Sequence, residues 1–176
     1  MKIRNIQTNL LLSAMIFTVA CASPSGNHSA ADSHQTHDSH LMKVNEQGDK
    51  AMGFSHQKTT HHFRLLADGG AIEVTANDES DAESRAQIRQ HLSHISQMFA
   101  AGNFEAPILT HGKTPPGVPV LQKQKSEIGY AYEEIENGGR VRIKTNNQEA
   151  LTAVYEFLRF QIGDHQTGDS FEITKE

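Results

Sequence analysis

The sequence has no tryptophan and a single cysteine, Cys21, among its 176 residues. A lone cysteine excludes an intramolecular disulfide bond. The motifs of several enzyme classes are missing as well, since the chain contains no G-x-S-x-G, no H-E-x-x-H and no cysteine–histidine nucleophile pair. No catalytic motif therefore predicts an enzyme.

Basic residues are in the minority: 16 Lys and Arg stand against 21 Asp and Glu, giving a formal net charge of −5 at pH 7. Proteins gain affinity for nucleic acids by neutralising phosphates, so this balance argues against a nucleic-acid partner. A nucleotide is not expected either. Gly112-Lys113-Thr114 resembles the end of a P-loop, but the upstream glycine is missing, and Pro115-Pro116 prevents the helix that should follow.

A long hydrophobic run is also lacking. The most apolar segment, residues 10–20, has about eleven residues, whereas a helix that spans a bilayer needs roughly 20. Lys2 and Arg4 precede this segment, and together they are typical of a secretory signal peptide, which we place at residues 1–20.

The signal peptide ends in Thr18-Val19-Ala20-Cys21, which resembles the lipobox of bacterial lipoproteins, with Thr18 in place of the usual aliphatic residue. The resemblance implies that Cys21 is lipidated and becomes the new N-terminus. Ala22 in the next position resembles outer-membrane sorting, so we expect a lipid-anchored envelope protein that faces the periplasm. The alternative is cleavage after Ala20-Cys21-Ala22, an A-x-A site, which would give a soluble secreted protein.

Histidine, by contrast, is abundant, with 11 residues in the chain. Residues 21–50 are polar and almost without apolar pattern, so we predict a disordered tether that cannot bury enough surface to fold. Imidazoles on a mobile chain can close around Cu²⁺, Ni²⁺ or Zn²⁺, which predicts a weak metal site here unless the stretch is only a solvated spacer. The candidate ligands in this tail are His28, His34, His37 and His40.

Residues 51–169 are expected to form one domain with two similar halves, followed by a tail at 170–176. Asp68-Gly-Gly-Ala-Ile-Glu-Val-Thr-Ala-Asn-Asp matches Asn137-Gly-Gly-Arg-Val-Arg-Ile-Lys-Thr-Asn-Asn position by position. Repeats at about 62–102 and 127–163 therefore predict a duplicated ββα unit. The predicted fold is a two-layer α+β sandwich, an antiparallel four-stranded sheet with two helices on one face and an undetermined strand order.

The sequence predicts where the helix of each repeat begins. Ser80-x-x-Glu83 has capping-box spacing and predicts a helix over residues 81–100, and Asn146-x-x-Glu149 predicts a second helix that ends at Gly163. Between the repeats, about 25 residues with several prolines have no clear pattern, and loops of that length inside a domain are often functional.

The domain offers a second set of candidate metal ligands. His61 and His62 are adjacent in the predicted first strand, so their side chains should point to opposite faces of the sheet. His91, His94 and Met98 lie on one stripe of the first helix, where a thioether would favour copper(I). We predict a shared copper or zinc site, unless these histidines are merely exposed or packed. Its candidate ligands are His56, His61, His62, His91, His94 and His111.

Several longer phrases carry a resemblance to a protein group: Met52-Gly-Phe-Ser-His56, Thr59-Thr-His-His-Phe63, Pro115-Pro-Gly-Val-Pro119 and Glu156-Phe-Leu-Arg-Phe-Gln-Ile162. Over residues 53–169 the chain resembles a group of exported bacterial proteins, some of which carry the name aspartate carbamoyltransferase. The resemblance implies export but no particular fold or activity. A transcarbamoylase has a Ser-Thr-Arg-Thr phosphate-binding motif, which this chain lacks, so that activity is not expected.

Two functions from different classes remain open at this point. The first is a periplasmic metal-binding lipoprotein that holds copper or zinc through histidines. The second is a non-catalytic lipoprotein whose duplicated domain binds a periplasmic protein partner, with the histidines incidental or only pH-responsive. Convergence of three candidate histidines would favour the first function.

Overall fold

Two ββα units follow one another along the chain. The structure, a computed structural model, describes residues 30–174, with side chains from residue 38 onward. The signal peptide, Cys21 and His28 lie outside the described residues. In chain order the elements are α1 (Ala30–Met52), β1 (Thr59–Leu66), β2 (Gly69–Ala76), α2 (Ala82–Ala100), α3 (Glu105–His111), α4 (Val118–Lys123), β3 (Ile128–Ile135), β4 (Gly138–Thr145) and α5 (Gln148–His165). Across residues 30–174, no helix has both the length and the apolar character needed to cross a bilayer.

The four strands form one antiparallel sheet in the order β1-β2-β4-β3. The second strands of the two hairpins pair at its centre, where Ile72 is the register partner of Val141. These two residues occupy matching positions in the two repeats, so an approximate twofold axis passes between them. The predicted α+β fold with a four-stranded antiparallel sheet is confirmed, and the strand order is now determined.

Each long helix packs mainly on the hairpin of the other repeat: α2 lies on β3 and β4, and α5 lies on β1 and β2. Two matching glycines allow this close packing. A Cβ atom on Gly70 would lie 2.2 Å from Cδ1 of Leu158, and one on Gly139 would lie 3.2 Å from Cδ1 of Leu92. Both glycines share the sheet face of the central Ile72–Val141 pair, so both helices cover that one face.

The helix starts differ from the predicted caps by one position. Asp81 caps α2 by accepting from the Ser84 N–H at 3.0 Å, and Asn147 caps α5 by accepting from the Ala150 N–H at 3.0 Å. Ser80 is not the cap; its hydroxyl instead donates to Asp78 Oδ1 at 2.6 Å. The second helix also continues two residues past Gly163, to His165.

Residues 30–52 form helix α1, so the prediction of a disordered tether is wrong for this stretch. The helix packs on α3 and α5. Val44 is 1% exposed, and His40 Nε2 lies 3.0 Å from Asp164 Oδ1 on α5. Polar contacts of this kind hold α1 in place, and composition alone does not reveal them.

The segment between the repeats, predicted to lack regular structure, contains the short helices α3 and α4. α3 packs on α1, and α4 packs on α5. Phe104 and Val118 anchor the segment, since each is at most 1% exposed. The segment therefore forms part of the helical layer and places α3 beside α1 and α5.

The face of the sheet away from the helices is polar. Glu73, at its centre, accepts from Arg140 Nε at 2.7 Å and lies 3.3 Å from Arg64 Nε. The C-terminal residues run beside the edge strand β1, where the Thr174 N–H donates to the Leu65 carbonyl at 2.9 Å. Charged residues thus cover this face, while the apolar core lies under the helices.

Candidate metal centre

A cavity of about 80 Å³ lies where β1 and β2 meet α1, α2, α3 and α5. Much of its wall is apolar and comes from core residues such as Phe63, Ile72 and Leu92. Among the described residues that line it, none is acidic. The lining side chains with donor or ligand atoms are Met52, His61, His91, Thr110, His111, Gln161 and His165.

Met52 and His61 contact one another in this cavity, with 3.2 Å between Met52 Sδ and His61 Nε2. Met52 is the last residue of α1, and Gly53 after it has a φ of +80°, which turns the chain towards β1. His61 lies on the helix-facing side of β1. A thioether and an imidazole so placed are a donor pair suited to copper.

Three of the lining imidazoles are partly buried, and the resulting loss of hydration keeps them uncharged at neutral pH. Desolvation, reinforced by the neighbouring His91, lowers the pKa of His61 to about 4. Desolvation likewise lowers the pKa of His91 to about 4 and that of His165 to about 3. An uncharged imidazole has a free lone pair, so a metal ion would not have to displace a proton from these rings.

Ring contacts fix the orientation of these imidazoles. His61 and His165 stack nearly parallel, with centroids 6.0 Å apart and an interplanar angle of 5°. Phe54 stacks on His61 at 6.2 Å and meets His91 edge-on at 5.5 Å. Within the described residues, the ring nitrogens of His91 and His165 make no hydrogen bond. Their lone pairs are therefore not used by any residue that the structure describes.

A second polar group joins α1, α3 and α5 at the same cavity. The side chain of His111 is fully buried, with Nδ1 2.5 Å from Asp164 Oδ2 and Nε2 2.9 Å from Gln161 Oε1. Asp164 also contacts His40 on α1. Burial raises the pKa of Asp164, but hydrogen bonds from His40 and His111 outweigh this and leave it lowered. The group holds three helices together around the cavity.

The structure brings three of the six predicted domain ligands, His61, His91 and His111, to one cavity. The prediction that neighbouring His61 and His62 diverge is confirmed, because His62 lies on the other face of the sheet and its Nδ1 is 2.9 Å from Asp169 Oδ1.

The remaining predicted ligands are held elsewhere. His56 contacts both carboxylate oxygens of Asp49, at 3.0 and 2.9 Å, and His94 is exposed on α2. Of the tail residues, His34 and His37 lie in α1, and His40 is bound to Asp164.

In the described part of the chain, no three histidine, cysteine, aspartate or glutamate side chains converge as a metal-binding group. The six predicted histidines therefore do not form one shared site. Their separation has a physical cause, since carboxylates hold His56 and His62 away from the cavity and helix geometry turns His94 outward. The thioether of Met52 supplies the donor atom that the histidines alone do not.

Two cavity residues, Gln161 and His165, were not among the predicted ligands. The internal repeat contained a signal for both. Counted from the N-caps Asp81 and Asn147, the apolar Ile95 and Phe99 on the buried stripe of α2 match Gln161 and His165 on α5. Polar residues at positions that are apolar in the other copy indicate a role other than packing.

Among known proteins, no family model, no curated protein and no solved structure matches the chain. The function therefore has to follow from the cavity and the residues around it.

Proposed function

We propose that this protein binds copper in the bacterial cell envelope, with the metal held as copper(I) by the Met52 thioether and the His61 imidazole. The observation that carries the proposal is the 3.2 Å contact between Met52 Sδ and His61 Nε2 at a cavity with a largely apolar wall. A thioether is a soft ligand that selects copper(I), and imidazole also binds copper well. The lipid anchor at Cys21 belongs to the same proposal and rests on the sequence.

His91 and His165 are the candidates for a third ligand. Both line the cavity, both are uncharged, and neither uses its ring nitrogens in a hydrogen bond to a described residue. As a ligand, either ring would add a second imidazole to the Met52–His61 pair. Such a set is neutral, which suits a singly charged ion in an apolar surrounding better than a doubly charged one.

The same donors favour copper over zinc. Zinc sites in proteins are built from thiolates, imidazoles and carboxylates, usually four of them in a structural site. This cavity has a thioether, and none of the described residues lining it is acidic. Met52 and His91 also line a surface depression next to His94, which gives an ion a route from solvent to the cavity.

The test is a copper(I) titration of the mature chain, without oxygen and against a competing chelator. We expect one tightly bound equivalent, and Met52→Leu should weaken binding by at least about tenfold because it removes the sulfur at nearly constant volume. Met42→Leu is the matched control, since Met42 lies on the same helix but is 71% exposed. Equal affinity in the Met52→Leu variant and the wild type would refute the proposal and favour a protein-interaction function.

A further inference from the structure

Gln161 has a buried amide with one unsatisfied atom. The residue is 4% exposed and lines the cavity. Its Oε1 faces His111 Nε2 at 2.9 Å, whereas its Nε2 is buried without a hydrogen-bond partner. Buried donors without a partner are rare in proteins, and each one needs an explanation such as a bound molecule.

The neighbours of Gln161 keep its amide in this orientation. His111 donates from both ring nitrogens, from Nδ1 to Asp164 Oδ2 and from Nε2 to Gln161 Oε1. Asp164 is itself fixed by His40. Because His111 uses Oε1, the –NH₂ group is the part of the amide that remains to bind something else.

The cavity is large enough for more than a metal ion. Its volume of about 80 Å³ exceeds the roughly 10–15 Å³ that a cavity needs in order to hold one water molecule. Met52 and His61 supply two donor atoms, and one further imidazole would supply a third. A copper ion held by so few protein ligands has a coordination position open to a small molecule from solution.

We infer that the Gln161 end of the cavity is a subsite for a small anionic hydrogen-bond acceptor, of the size of hydroxide or azide, that binds to the metal. This inference rests on the proposed copper site. The metal supplies the positive charge, Gln161 Nε2 donates to the anion, and the apolar wall limits its size. The described residues lining the cavity include no carboxylate that would repel it.

The experiment uses the mature chain loaded with one equivalent of copper(I) without oxygen, titrated with azide and followed by the infrared stretching band of the bound azide. We expect saturable binding of one azide. Gln161→Leu should weaken it by about tenfold or more, because the variant removes a hydrogen bond to a charged group. Gln97→Leu, at an exposed glutamine of α2, is the control and should leave the azide affinity unchanged.

A second variant keeps the test valid if Gln161→Leu does not fold. Gln161→Glu retains an oxygen to accept from His111 but replaces the donor with a negatively charged oxygen, so azide binding should also weaken. Copper loading of each variant is measured separately. If the wild type binds copper but no azide, or if both Gln161 variants bind azide like the wild type, the subsite is refuted and the copper site stands. If the wild type binds no copper, both proposals fail.

Discussion

The two repeats have the same backbone arrangement, but the side chains under their hairpins differ. His61 in β1 matches Tyr130 in β3 within the internal repeat, but their surroundings differ. His61 borders the cavity, whereas Tyr130 packs edge-on against Phe99 at 5.8 Å and Phe104 at 6.5 Å. Phe99 and Phe104 in turn stack at 4.4 Å. One hairpin thus packs against aromatic rings, and the other faces the cavity and its imidazoles.

The difference teaches where the chain departs from what packing alone requires. The two copies of the repeat can be compared position by position, because each packs a helix on a hairpin in the same way. Where α2 has the apolar Ile95 and Phe99, α5 has Gln161 and His165. Aromatic packing in one half stabilises the fold, whereas the other half has the polar side chains that a binding site needs.

The largest expected effect is acid destabilisation that originates in the imidazole half. The folded pKa values of His61, His91 and His165 are about 4, 4 and 3, below the unfolded value of about 6.5. The unfolded chain therefore binds more protons between these values. The free energy of unfolding should therefore be highest above about pH 6.5 and should fall as the pH drops towards 4. The expected loss from His61 alone is on the order of 3 kcal/mol.

Urea unfolding of the metal-free chain at several pH values measures this effect. His61→Phe removes one of the three groups and should flatten the dependence. A free energy of unfolding that stays constant from pH 7 to pH 4.5 would show that the imidazoles are not buried as described.

In the aromatic half, Phe104→Ala should lower the free energy of unfolding by about 3–5 kcal/mol, because it leaves a cavity in a tightly packed cluster. Phe104 is 1% exposed and contacts Phe99, Phe157 and Tyr130. The proper comparison is Phe171→Ala, at an exposed phenylalanine, which should change the free energy little. A loss below about 1 kcal/mol at Phe104 would contradict the dense packing of this half.

The matching glycines provide a smaller test of the two interiors. An alanine Cβ at position 70 would meet Cδ1 of Leu158 at 2.2 Å and the Arg64 carbonyl oxygen at 2.6 Å. At position 139 the nearest atom is Cε2 of Tyr132 at 3.0 Å. Gly70→Ala should therefore cost about 1–3 kcal/mol, and Gly139→Ala should cost less. Thermal unfolding of both variants checks the order, and a greater loss at Gly139 would reverse it.

The fold was largely predictable because its signals are local. The hairpins after Asp68 and Asn137 show the same glycine turn and the same alternation of apolar residues. Helix α1 was missed because its position depends on contacts distant in sequence, such as His40 with Asp164, rather than on an apolar pattern. The packing of each helix on the other hairpin also depends on how the whole sheet assembles.

The site was predictable only in part. His61, His91 and His111 were candidates because histidine is frequent in the chain, yet three other candidates lie elsewhere. His165 meets His61 only after α5 packs on β1, so no spacing in the sequence joins them. Met52 is not recognisable as a ligand from the sequence, because its contact with His61 requires the turn at Gly53.

The most direct test of the central claim is the X-ray absorption spectrum of the chain loaded with one equivalent of copper(I). We predict one sulfur neighbour from Met52 together with nitrogen neighbours from imidazole, and the loss of the sulfur neighbour in the Met52→Leu variant. A spectrum without a sulfur neighbour in the wild type, or one that does not change in that variant, would contradict a copper site between Met52 and His61.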